Sequence, residues 1–230
     1  MRLAGLDQLT AEPAIASAKG PVAAIIAEDA VEVEATIRHH GKLGFRLILL
    51  FAPKELELAP DIEAEVTRID FSTLQQDAAP LAINALVRAL PEKTWLYYCY
   101  NAEFLFFPFC ETRSVGELLS FHAEERRFGM LSYVVDLYAT DLGQADNAVS
   151  LKGAHMDRSG YYALARHGDE GPKERQLDFY GGLRWRFEEH IDESRRRIDR
   201  ISIVRSRKDI RLRPDHTWSD EELNTYACPW

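Results

Sequence analysis

The chain has 230 residues, 46% of them hydrophobic and 28% charged, which allows one substantial core with an attached lobe. No apolar run approaches the length of a membrane span, the stretch Met1 to Asp7 lacks the apolar segment of a secretory signal, and the net charge of −9 argues against a long polyanionic partner such as nucleic acid. Three cysteines, Cys99, Cys110 and Cys228, show no CxxC spacing, which argues against a cysteine zinc site and favours a reducing compartment, by default the cytoplasm.

After a polar leader, Val22 to Ala27 reads as a buried parallel strand. Glu28-Asp29 then opens a helix with Ala30, Val33 and Ile37 at helical spacing, and Gly41 and Gly44 close it. Arg46 to Phe51 is the next strand, stopped by Ala52-Pro53, and a Pro- and Glu-rich loop leads to a shorter strand over Val66 to Phe71. Asp77 to Leu90 is the clearest helix, with Leu81, Ala82, Ala85, Leu86 and Ala89 on one face. A strand over Trp95 to Cys99 follows, then a capping box at Ser114-Val115-Gly116-Glu117 and a strand over Met130 to Tyr138. This rhythm predicts a doubly wound, mostly parallel α/β sheet. From about Asp141 the composition turns to Gly, Asp, Asn and Arg with weaker periodicity, which divides the chain into a ligand-binding half, 1–140, and an irregular lobe, 141–230.

The apolar strand ending at Tyr100-Asn101-Ala102-Glu103-Phe104-Leu105 delivers polar groups at its carboxyl end, where open α/β sheets bind ligands. With His39-His40-Gly41-Lys42-Leu43-Gly44-Phe45, Asn84, and the late strand Ile201 to Arg205 followed by His216, it resembles in order and spacing the family 2-like glycosyltransferases. The resemblance spans about residues 20–218. It implies a nucleotide-diphospho-sugar transferase fold of GT-A-like type, a nucleotide-sugar donor, a glycan or other hydroxyl acceptor, and an acceptor-side role for the 141–230 lobe. The family holds a divalent metal on an Asp-x-Asp pair, and Tyr100 and Ala102 occupy those two positions here. What the resemblance leaves for a Mg²⁺ or Mn²⁺ ion is Glu103 and His216, a poor set for a hard cation.

For the nucleotide, Glu28 and Asp29 can accept hydrogen bonds from a base or ribose, or else serve as acids at a helix start. Residues 175–213 carry twelve Lys/Arg against seven acids, and Arg205, Arg211 and Arg213 are candidates to hold a diphosphate in place of a metal, with Tyr100 and Asn101 beside them. Tyr100 and Asn101 read equally as a strand end and a turn amide. Two acids are candidate general bases: Asp136, which interrupts an apolar strand, and Asp178, in an aromatic segment running into Gly181-Gly182 with Tyr180 and Trp185 as stacking faces. An outward-facing acid and a turn acid are their respective competing readings. A catalytically silent sugar-nucleotide or glycan-binding module is the alternative function. The aromatic end, Tyr226 and Trp230, is expected to dock back on the domain.

Overall fold

The computed structural model describes residues 1–145 and 147–225, so the expected docking of Tyr226 and Trp230 lies outside the described residues. The polar leader proves to be packed structure. A two-residue strand β1 (Arg2–Leu3), a 3-10 turn over Leu6–Ala11 and a short helix α1 (Pro13–Ala16) bury Leu3, Leu9 and Ile15. Their apolar spacing is too short for a periodicity to be visible.

Strand β2 (Val22–Ile26) is apolar throughout because both its faces are covered. Val22, Ala24 and Ile26 enter one apolar layer, while Ala23 and Ile25 enter the other, following the two-residue period of a strand. Helix α2 (Val33–Lys42) starts later than Glu28-Asp29: Asp29 Oδ1 accepts the Val31 N–H at 2.8 Å, and Glu32 has a left-handed φ of 51°. After β3 (Leu47–Ala52), the Pro- and Glu-rich stretch folds into a short helix α3 (Pro60–Glu65), whose Ile62 is buried. Next come β4 (Thr67–Asp70), α4 (Ala78–Ala89), β5 (Trp95–Tyr100) and α5 (Val115–Glu124), the last with the capping box in place: Ser114 Oγ accepts from Glu117 N, and Glu117 accepts from Ser114 N. Helix α4 packs on one face of the sheet, and α2, α3 and α5 on the other.

The expected strand over 130–138 is broken. Strand β6 (Gly129–Tyr133) ends before Asp136, and β7 (Leu137–Tyr138) pairs instead with β8 (His155–Met156). The lobe holds a hairpin of β9 (Tyr162–Gly168) and β10 (Gly171–Tyr180), two short helices α6 (Gly182–Arg186) and α7 (Glu193–Arg196), and then β11 (Asp199–Arg205).

Among the described residues, seven strands form one sheet in the order β1-β4-β3-β2-β5-β11-β6. The first five are mutually parallel, and β11 runs antiparallel between β5 and β6. The chain moves outward through β2, β3 and β4 and then returns to place β5 on the other side of β2. The topological switch point therefore falls between the carboxyl ends of β2 and β5. The sheet draws strands from both sides of residue 141.

Two irregularities shape this end of the sheet. Strand β11 carries a bulge, with Ile201 opposite Leu131 and Ile203 opposite Met130, so Ser202 is extra. It also pairs with β5 only from Ile203 to Arg205, leaving the edge of β5 beyond Tyr97 without a ladder partner on that side. After β11 the chain folds back: Trp218 is fully buried, donates from Nε1 to Ile201 O at 3.0 Å, and is clasped by Asn224 through bonds of 2.8 Å to its N–H and C=O. No helix among the described residues is long and apolar enough to cross a membrane.

Candidate functional site

The switch point opens into a cleft of about 230 Å³. Glu28 stands at the end of β2 and Tyr100 at the end of β5; the 73–80 segment, which runs into α4, Arg195 of α7, and Pro214 with His216 complete the wall. Each element is fixed locally. Thr73 donates from Oγ1 to Ala27 O at 2.7 Å, tying the chain after β4 to the end of β2. Asn101 bridges the two switch-point strands: its Oδ1 accepts the Glu28 N–H at 3.0 Å, and its Nδ2 donates to Asp29 Oδ1 at 2.6 Å and Val31 O at 3.0 Å.

His216 reaches the cleft on the tip of a small hairpin. Leu212 and Trp218 bridge in antiparallel fashion, Arg213 N–H donates to Thr217 O at 2.8 Å, and His216 adopts a left-handed φ of 60°. Asn84 on α4 holds the base of this hairpin, donating to Leu212 O at 2.9 Å and accepting from Leu212 N at 2.7 Å. The Asn in the amphipathic helix is thereby explained as a backbone clamp.

Beneath the cleft lies a wedge that fills the gap where β11 leaves β5. The Tyr100 N–H, without a strand partner there, donates to Glu103 Oε2 at 2.9 Å. Both oxygens of Glu103 also receive the Arg200 guanidinium, through NH1 at 3.1 Å and through NH2. Arg200 is buried against the rings of Tyr98 and Tyr100, at 5.2 and 5.7 Å from their centroids. The two hydroxyls meet His216 from either side, Tyr98 Oη at 3.1 Å from Nδ1 and Tyr100 Oη at 3.5 Å from Nε2.

The electrostatics follow from this packing. Burial, reinforced by Arg200 and Arg197, lowers His216 to about 4, so the imidazole is neutral at neutral pH. Burial pushes the Tyr100 phenol up to about 12, against the pull of Arg200, so it stays a hydroxyl donor. Protein packed against one side of the otherwise exposed Glu28 raises its carboxyl, Arg195 works against that rise, and Asp29 and Glu103 add to it. Burial works against the charge on Arg200, but the Glu103 carboxylate together with Tyr98 and Tyr97 more than offsets it and raises the guanidinium above its usual value. Arg195 itself has no ion-pair partner among the described residues, unlike its neighbours Arg184, Arg197 and Arg200.

Of the sequence candidates, Glu28, Tyr100 and His216 come together around the cleft, with Asp29 and Asn101 as struts behind it. Glu103 turns inward as the partner of Arg200 and of the β5 edge rather than as a free ligand. With Glu103 committed and Tyr100 and Ala102 at the flanking positions, the residues present do not fit a divalent cation; among the described residues no group of three His, Cys, Asp or Glu side chains is placed to hold one.

The three arginines proposed for a diphosphate are elsewhere. Arg205 pairs with Trp95, at the opposite end of β5, between the rings of Trp95 and Phe128. Arg211 bonds Lys208 O and Ile210 O, and Arg213 bonds Glu221 at 2.8 Å. Asp178 is locked by Arg166 at 2.8 Å and Arg197 at 3.2 Å, and Asp136 by both ends of Arg184 at 2.7 and 3.0 Å. The arginine that lines the cleft, Arg195, and the one packed behind its Tyr100–His216 wall, Arg200, sit in a charge-dense stretch with no periodicity to single them out. A run of mixed arginines and acids offers no sequence signal for which of them line a cleft and which are taken up by acids or backbone. No protein-family model, no curated protein and no solved structure matches this chain, so its function rests on the geometry of the site.

Proposed function

We propose that this chain is a glycosyltransferase-like protein that binds a nucleotide-activated sugar in the switch-point cleft and transfers the sugar to a hydroxyl of a glycan or similar acceptor. The observation that carries the reading is that Arg195, with no ion-pair partner among the described residues, lines with Glu28 a cleft at the carboxyl ends of β2 and β5. That location is where open α/β sheets take nucleotides. Glu28 accepts hydrogen bonds from the nucleoside, Arg195 neutralises the diphosphate, and the amino end of the twelve-residue α4 adds a favourable dipole. The neutral His216 and the protonated Tyr100 supply polar contacts that leave the ligand's charge to the arginine. The GT-A-like type of the sheet is supported by the order of the sequence landmarks together with a mostly parallel sheet whose switch point lies at Glu28 and Tyr100.

A thermal-shift series with nucleoside diphosphates and sugar nucleotides tests the reading. A ligand at a hundredfold excess over its dissociation constant adds about 2.7 kcal/mol of stability. Arg195→Gln is expected to weaken binding about tenfold, within the range of one charge-assisted hydrogen bond, with the ligand-free melting temperature unchanged. If no nucleotide shifts the wild type, the reading falls.

A second reading, a sugar-nucleotide or glycan-binding module without catalysis, is favoured by one observation: Asp136, Asp178 and Glu103 are all committed to arginines. Binding without donor hydrolysis or transfer under any acceptor condition selects it.

A further inference from the structure

The metal-holding position suggested by the sequence is filled by a side chain. Glu103 lies at the end of β5, next to the two positions where carboxylates are missing, and a guanidinium takes both of its oxygens. That guanidinium is not a surface arginine: it is packed beneath Tyr98 and Tyr100 and reaches the site because β11 diverges from β5 there. Arg197 lies on the same side and donates to Asp215 O at 2.7 Å, next to His216.

We propose that Arg200 is the resident cation of the cleft, a positioning residue that orients Glu103, Tyr98, Tyr100 and through them His216, so that a nucleoside diphosphate binds without a divalent ion. This rests on the nucleotide-sugar reading of the same cleft and adds how its charge is met. The wall of the cleft senses the arginine more than the acid: at both His216 and Tyr100, Arg200 has the larger effect and Glu103 the smaller, opposing one. The pair therefore presents more of its positive than of its negative end to the Tyr100–His216 wall. Arg195 contacts the phosphates from the mouth, and Arg200 supports them from behind the Tyr100–His216 wall.

The test begins with the wild type, titrated with uridine, cytidine and guanosine diphosphates in EDTA and again with Mn²⁺. Equal affinity within about threefold is expected for the diphosphate that binds. Affinity that tightens about tenfold or more with Mn²⁺ overturns the resident-cation proposal while leaving the nucleotide reading intact. Absence of binding in both conditions overturns the nucleotide reading and the proposal with it.

The second arm replaces the ion pair by an apolar pair, Glu103→Leu with Arg200→Met, a change that buried pairs commonly tolerate. The expected result is a retained melting temperature and affinity in EDTA weakened about tenfold. Unchanged affinity at an unchanged melting temperature reduces Arg200 to a structural strut and overturns the proposal. If the double variant does not fold, electron paramagnetic resonance of Mn²⁺ alone against the wild type decides. No stoichiometric site is expected, and a site filling below about 0.1 mM, an affinity typical of a dedicated carboxylate site, overturns it.

Discussion

A histidine held between two tyrosine hydroxyls titrates differently from one in water. His216 and His40 both have their ring lowered to about 4, chiefly by burial, whereas the unfolded chain protonates them near 6.5. Between those values the unfolded state binds protons that the folded state refuses. Stability is therefore full above about pH 6.5, falls as pH drops toward 4, and gains no further slope from these groups below it. Urea midpoints measured from pH 7 to 4 are expected to show this decline, and His216→Gln is expected to remove part of it while His40 retains the rest. A variant slope equal to that of the wild type would mean that His216 titrates as a free imidazole. The same residue illustrates what was legible at this scale. Glu28 and Tyr100 follow or end apolar strands and stand out as polar groups, and His216 is reached only through the order of the resembling motifs; Arg195 and Arg200 do not stand out, because neighbouring arginines in the same segment are chemically identical until their partners are known.

Elements meet at the cleft through backbone clamps made by asparagine. Asn84 carries the 212–218 hairpin on α4, and its loss leaves the Leu212 N–H and C=O unpaired. Asn84→Ala is expected to cost about 1–3 kcal/mol in chemical denaturation and to weaken nucleotide binding as well, because the His216 tip loses its seat. Weaker stability with unaltered affinity would show that Trp218 alone positions the tip. Strand β2, helix α4 and strand β5 were readable from periodicity since both faces of the sheet are covered and the helix has one apolar stripe. The insertion of β11 between β5 and β6 was not, since antiparallel pairing between Ile203 and Tyr97 joins residues more than a hundred apart and leaves no local trace. Helix α3 was hidden for the opposite reason: six residues with one buried apolar side chain, Ile62, make no periodic signal.

At the scale of the whole molecule, the central sheet ties the two halves of the chain together. Strand β11 supplies the partner of both β5 and β6, and Trp218 belongs to the core layer that holds Leu86 and Tyr98. A fragment of residues 1–140 lacks both. It is expected to expose the β5 edge and to unfold without a sharp transition, whereas the intact chain melts in a single step seen equally by near- and far-ultraviolet circular dichroism. A fragment with a sharp transition near that of the intact chain would show that the first half is an independent domain. The composition change near Asp141 thus marks where regular periodicity ends, while the sheet itself continues to recruit strands beyond it.

The bulge at Ser202 has a consequence for how this strand can change in length. Side chains on a strand alternate, so one extra residue reverses the parity of everything on its amino-terminal side relative to the residues that follow it, while each stays opposite its β6 partner. Deleting Ser202 restores an unbroken ladder and leaves Ile201, Arg200 and Asp199 opposite the same partners, each on its present face. Removing two residues goes one beyond the bulge, shifts every earlier residue by one place on the ladder and turns each to the opposite face. The bulge is thus a store of one residue: this strand can lose one without disturbing its faces, and cannot lose two.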